Sequence, residues 1–210
     1  MRLKDKIVLI TSAQHPCTHA IAMGFAREGA NCVVVDSDGS QAEHIAAEVR
    51  SLGRLALPLQ FDITKKSQVE EVVRRTVAEF GRIDVLLNCS ALTYESDFFN
   101  FTEEAFNECI DHGPKAYFLT CQAVGRQMAG QRSGKIINLA TTDARIASGE
   151  STGNSAAYSS IESMTRAIAQ ALGYYGVNVN SLVCGPMDNF AGTAAEAGEG
   201  LRGIPLGRLG

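Results

Sequence analysis

The chain has no lysine- and arginine-rich run, no long apolar stretch, no closely paired cysteines and no internal repeat. Each absence removes a class of function. With 19 basic against 23 acidic residues and a net charge of −4, it carries no electrostatic footprint for a phosphate backbone, which argues against a nucleic-acid partner. Its longest apolar runs, such as 7–10 and 33–35, fall far short of the roughly 20 residues that span a bilayer. Residues 1–6 lead straight into an apolar strand pattern without a small-residue cleavage site, so no secretory leader is expected. The six cysteines form no C-x-x-C pair and no disulfide framework. They read as reduced, mostly buried thiols of a cytoplasmic protein.

What is present is regular alternation. A length of 210 residues with 45% hydrophobic and 20% charged composition suits one globular domain with a sizeable core. Strands are expected at 6–12, 31–36, 54–61, 83–88, 135–140 and 177–184. Helices are expected at 17–28, 40–52, 66–80, 102–131 and 155–174, with Gly29, Gly53, Gly81 and Gly176 standing behind four of them. Pro58 cannot donate to a ladder, which puts the third strand at a sheet edge. Gly113 and Pro114 interrupt the long fourth helical stretch. Alternating β and α units of this size, joined by right-handed crossovers, predict a doubly wound parallel sheet with helices on both faces.

Four segments in register carry a resemblance. Residues 80–88 read FGRIDVLLN, 134–139 read GKIINL, Tyr158 lies near the start of the last expected helix, and 175–181 read YGVNVNS. Together they resemble the short-chain dehydrogenase/reductase family over essentially the whole chain. The resemblance implies a Rossmann-type sheet in the order 3-2-1-4-5-6, with NAD as the expected cofactor class. The tail at 204–210 is similar to the segment that, in the family, precedes a further helix, a seventh strand and a closing segment. Either the sequence is incomplete there, or the sixth strand is an edge that something else covers.

The departures from the family pattern are informative. The family holds the pyrophosphate in a T-G-x-x-x-G-x-G loop, whose glycines let phosphates approach a helix N-terminus. Here residues 11–18 read TSAQHPCT, with Ser12, Pro16 and Thr18 at the glycine positions. Each adds a Cβ, and Pro16 removes an N–H. Asn88 keeps the first position of the family's N-N-A-G motif, followed here by Cys89, Ser90 and Ala91. Asp36 falls where an acid would accept ribose hydroxyls, and Asp62 where the adenine ring is contacted. Both also suit ordinary turns after strands.

The family's catalytic Ser, Tyr and Lys fall at Thr141, Tyr158 and Glu162, and its assisting Asn falls at Gly113. The family lysine lowers the tyrosine pKa from the same helix face. A glutamate there reverses the field, by about 1 kcal/mol in water and about 4 at an effective dielectric of 20 for charges about 4 Å apart. Cys184, Gly185 and Pro186 replace the Pro-Gly turn, and the small-residue stretch 191–200 falls where the substrate lid lies. His15, Cys17, His19, Cys89 and Cys184 would gather at the sheet edge, but buried thiols and loop histidines are the preferred reading over a metal site.

The resulting expectation is a redox-silent subunit that binds no cofactor itself, paired with a homologous catalytic subunit of an alcohol or hydroxyacyl (hydroxyacyl-CoA being one case) dehydrogenase. The pairing would form a dimer or tetramer through helices 102–131 and 155–174, as the family usually does. Two rivals stand beside it. One is an NAD(H)-dependent oxidoreductase of atypical geometry using Asp36, Asp62, Asn88, Thr141 and Tyr158. The other is a cofactor-independent dehydratase or isomerase using Tyr158, Thr141 and Glu162 for proton transfer.

Overall fold

Alternation within the first two strands decides the architecture. In the computed structural model, which describes residues 1–89, 94, 96–146, 149–185 and 187, Val8 and Ile10 of β1 (Ile7–Thr11) pack with Cys32 and Val34 of β2 (Asn31–Asp36) on one face. Ile7, Leu9, Val33 and Val35 face the opposite side. A strand apolar on both faces must be covered on both. Helices α1 (Pro16–Arg27) and α2 (Gly39–Ser51) supply Ala22, Met23, Ala26, Ile45 and Val49 to the first face. Helices α3 (Lys66–Phe80) and α5 (Ala116–Gln131) cover the second with Val72, Cys121, Val124 and Met128.

Strands β3 (Ala56–Gln60), β4 (Val85–Asn88), β5 (Gly134–Thr141) and β6 (Val177–Cys184) complete a six-stranded sheet. Its order is β3-β2-β1-β4-β5-β6, with every pair parallel. This is the expected order. Pro58 sits in β3, which pairs only with β2 among the described residues, so its missing N–H breaks no ladder. Helix α4 (Glu103–Ile110) is capped by Thr102 Oγ1, which accepts from the Ala105 amide at 3.2 Å. Helix α6 (Thr152–Gly173) packs along β5 and β6.

Element bounds differ from the sequence expectation where local chemistry extends or shortens a helix. The first helix begins one residue earlier, at Pro16, because proline is suited to the first helical position. The last begins at Thr152 rather than 155. The long fourth stretch is two helices joined by a π turn at Asp111–Lys115, where Gly113 takes φ −89° and ψ −110°. Two glycines are required by geometry. Gly81 ends α3 at φ +76°, with its amide on Val77 O at 2.8 Å. A Cβ at Gly176 (φ +75°) would lie 2.8 Å from the Arg132 carbonyl oxygen. Among the described residues no helix is long and apolar enough to cross a membrane.

Candidate active site

The strand order reverses between β1 and β4, and in such sheets ligands enter the crevice at the carboxyl ends of those strands. Here Thr11 spans that point. Its Oγ1 accepts from the Cys89 amide at 3.0 Å and lies 3.3 Å from the Cys89 carbonyl oxygen, to which it donates.

The loop that follows turns back on itself. Ser12 holds φ +59°, a left-handed conformation that glycine adopts without strain and serine does not. Thr18 Oγ1 donates to Ser12 O at 2.8 Å and is fully buried. His15 is the N-cap of α1, and its Nδ1 accepts from the Cys17 amide at 3.2 Å. The Thr18 amide donates to His15 O at 2.8 Å. His15 is only 7% exposed, and burial pushes its pKa down to about 4, so the ring is neutral at physiological pH. Its cap bond assigns Nδ1 as the acceptor and Nε2 as the protonated nitrogen.

These bonds test whether a dinucleotide pyrophosphate fits. A helix N-terminus binds anions through amides left without partners. At α1, Pro16 has no N–H, the Cys17 N–H is taken by His15, and the Thr18 N–H is taken by a carbonyl. The residues present do not fit the pyrophosphate.

The two acids lie together at the other end of the crevice. Asp36 and Asp62 line a cavity of about 310 Å³ with Ser12, Gln14, Phe61 and His112. Asp36 is 6% exposed and is held from within the chain. Its Oδ2 accepts from the Gln14 amide at 3.1 Å, and its Oδ1 accepts from Gln14 Nε2 at 3.0 Å and the Asp38 amide at 2.8 Å. Asp62 Oδ1 accepts from the Thr64 amide at 2.8 Å and Thr64 Oγ1 at 2.6 Å, as in a turn. Burial pushes the Asp62 carboxyl up. The Thr64 bonds, with Lys65 and His112 nearby, outweigh it and hold the group below its ordinary value.

Asn88 is not part of that cavity. Expected as a cofactor contact, it is instead fully buried in a network beneath the crevice. Asn88 Nδ2 donates to Asn138 Oδ1 at 2.9 Å, Thr120 Oγ1 donates to Asn88 Oδ1 at 2.8 Å, and Asn138 Nδ2 donates to Thr165 Oγ1 at 2.9 Å. With every polar atom of both amides engaged inward, the network ties β4 and β5 to α5 and α6.

Tyr158 and Thr141 do come together. With His15, Tyr117, Leu139, Ala140 and Cys184 they line a cavity of about 10 Å³, room for one water at most. Tyr158 is 4% exposed and packs with Tyr117, Ala140 and Ile161. Glu162 is paired. Arg145 Nη2 donates to its Oε2 at 2.9 Å and Arg145 Nε to its Oε1 at 3.2 Å. That guanidinium offsets much of the negative field an unpaired glutamate would impose on Tyr158. Gly113, at the family's asparagine position, approaches Ala157, which a Cβ there would meet at 3.3 Å.

The expected gathering of histidines and cysteines is only partial. His15 and Cys184 share the small cavity. His19 points away, its Nε2 3.0 Å from Glu48 Oε2 on α2. Burial pushes the Cys89 thiol up to about 12 and the Cys184 thiol up as well. No group of three metal-binding side chains occurs among the described residues. Ser90, Ala91, Pro186, the 191–200 stretch and the 204–210 tail lie outside those residues. Sequence reasoning missed Gln14 as the partner of Asp36 and Arg145 as the partner of Glu162. Both pairs are distant in sequence, at 22 and 17 residues, and no local signal joins them.

Comparison with known proteins identifies the family that shares this fold. Residues 6–200 match the short chain dehydrogenase family. Galactitol 2-dehydrogenase of Agrobacterium fabrum is 34% identical over 189 residues, 90% of this chain and 73% of that protein. The 3-oxoacyl-[acyl-carrier-protein] reductase of Thermotoga maritima is 30% identical over 214 residues, covering 100% and 87%. A short-chain type dehydrogenase/reductase from Mycobacterium marinum superposes with a TM-score of 0.91 at 26% identity, covering 99% of this chain and 83% of that one. An NAD⁺-bound xylitol dehydrogenase shares the fold, with a TM-score of 0.93 at 23% identity and 100% and 88% coverage. Sheet order, the register of the site and these relatives together establish that the chain belongs to the short-chain dehydrogenase family.

Proposed function

We propose that this chain is a redox-silent subunit of a hetero-oligomeric short-chain dehydrogenase, in which a homologous partner holds NAD(H) and performs the chemistry. The observation that carries this reading is the loop after β1. Its own His15 caps the helix amide that a phosphate would need, beside a cavity of about 10 Å³ at Tyr158. Glu162, bonded to Arg145, cannot supply the positive charge that the family places beside its tyrosine. The relatives point to the substrate class. Galactitol 2-dehydrogenase and 3-oxoacyl-[acyl-carrier-protein] reductase act between a hydroxyl and a carbonyl, so the partner's substrate is an alcohol or hydroxyacyl group.

A surface suited to such a partner runs between α5 and α6. It is a groove of about 320 Å³ lined by Phe118, Gly125, Ala129, Ile168, Leu172 and Tyr175. Phe118 and Tyr175 are 45% and 39% exposed, the large apolar exposure that marks an interface.

A second reading, an NAD(H)-dependent oxidoreductase, is favoured by the cavity at Asp36 and Asp62 and by the NAD-dependent glycerol dehydrogenase of Listeria innocua, 30% identical over 212 residues. It requires the 12–18 loop to open. Cofactor-independent proton transfer is the weaker rival, because among the described residues the cavity that Tyr158 and Thr141 line holds only about 10 Å³. Purification from the native source decides between the first two. A stable complex with a second, catalytically complete family member supports the silent-subunit reading. A homo-oligomer that carries nucleotide overturns it.

A further inference from the structure

Asp36 and Gln14 are joined by more than proximity. Gln14 uses two donors, its backbone amide and its side-chain Nε2, on the two oxygens of one carboxylate. The Asp38 amide adds a third bond. A buried acid at a strand end facing a cavity would ordinarily be open to a ligand's hydroxyls. Here the chain itself meets both oxygens, with charge-assisted bonds that are stronger than neutral ones.

Gln14 directly precedes His15, so fixing its amide and side chain also fixes the histidine. The His15 amide returns to Ser12 O at 3.1 Å, closing a tight turn on a left-handed serine. A non-glycine residue in that conformation persists only where its surroundings over-determine it. Three tethers do so: Gln14 on Asp36, Thr18 Oγ1 on Ser12 O, and the Cys17 amide on His15 Nδ1. Of these, Gln14 on Asp36 reaches furthest across the fold, from the loop after β1 to the end of β2.

We infer that Gln14 is the latch of an intramolecular stopper. By chelating Asp36 it holds His15 between α1 and Tyr158, and competes for Asp36 with any ligand that presents a vicinal diol. This rests on the reading of the chain as nucleotide-free and explains how that state is kept. Gln14 is a positioning residue, acting on Tyr158's surroundings through His15. The ligand class it excludes follows from the cavity, where Asp36 would accept a diol and Phe61, Ile63 and Val35 provide an apolar wall for a ring.

The test uses the full chain with Gln14→Ala and Asp36→Asn, followed by amide hydrogen exchange and by calorimetric titration with adenosine, a ring-bearing diol without phosphate. In both variants the Cys17 amide, three residues from the nearer change, is expected to exchange roughly tenfold faster, as the stopper loosens. Adenosine is expected to bind Gln14→Ala roughly tenfold more tightly than wild type, because its diol replaces Gln14 on the carboxylate. Asp36→Asn is expected to show no such gain. Exchange in β1 and β4 serves as the folding control. If these strands remain protected while Cys17 exchange is unchanged in either variant, the latch is overturned. Equal adenosine affinity in wild type and Gln14→Ala overturns the competition for Asp36. Loss of protection in β1 and β4 on Gln14→Ala overturns it too, since a latch confined to the loop leaves the sheet intact. A native homo-oligomer would sink the silent-subunit reading while leaving these outcomes in place, so the two fail separately.

Discussion

The two ends of the crevice are closed in two different ways. At the Asp36 end a cavity of about 310 Å³ survives, and its key acid is engaged by hydrogen bonds from Gln14. At the Tyr158 end, among the described residues, the cavity lined by His15, Tyr117 and Tyr158 holds only about 10 Å³. A bond can be exchanged for a ligand's bond with little rearrangement, whereas volume must be vacated. The difference teaches that losing the glycines need not destroy a site evenly. It leaves the acid end closed by a replaceable contact and the tyrosine end closed by packing.

The largest expected effect lies beneath both ends. Asn138→Leu removes the oxygen partner of Asn88 Nδ2, leaving it only Cys121 Sγ at 3.3 Å among the described residues, and removes the donor to Thr165 Oγ1. Stranding buried polar groups should lower unfolding stability by roughly 3–4 kcal/mol in urea titration, erasing the contrast between the ends by loosening their common floor. Next comes the titration of His15. Its folded pKa of about 4 lies below the ordinary 6.5, so between these values the unfolded chain binds the extra proton. The contribution is fully present above about pH 6.5 and is lost as pH falls toward 4. Wild type should therefore lose roughly 2–3 kcal/mol more than His15→Asn across that window, asparagine being a good N-cap that does not titrate there.

Tyr158→Phe sharpens the comparison at the packed end. In the hetero-complex proposed above, turnover should change by less than about twofold, where a working general acid–base typically contributes 10²–10⁴-fold. The smallest effect is expected from Arg145→Ala. Its pair with Glu162 joins an arginine side chain 64% exposed to a glutamate 13% exposed, and the loss should lower stability by about 1 kcal/mol in urea titration.

Much of the scaffold was legible because it depends on local pattern. β2 at 31–36 and β6 at 177–184 match the expected bounds, since β-branched runs end there at turn residues. The glycine behind α3 and the break at Gly113 were equally visible, as both are matters of backbone freedom. The register of Thr141 with Tyr158 followed from the family resemblance, and the structure brings the two together. What sequence could not show were contacts between distant segments. Glu162 read as an unpaired reversal of charge until Arg145 was placed against it. Asn88 read as a ligand contact because its inward partners, Thr120 and Asn138, lie 32 and 50 residues away. Asp36 read as a ribose contact or an ordinary turn acid, since nothing local to it predicts Gln14.

The central claim is that the loop after β1 has taken the place of the nucleotide's phosphates. Calorimetric titration of NADH into the isolated chain, and then into the native complex, tests it most directly. The account predicts no heat of binding to the isolated chain at millimolar NADH, and one site per pair of chains in the complex. Saturable binding by the isolated chain with one-to-one stoichiometry would contradict it.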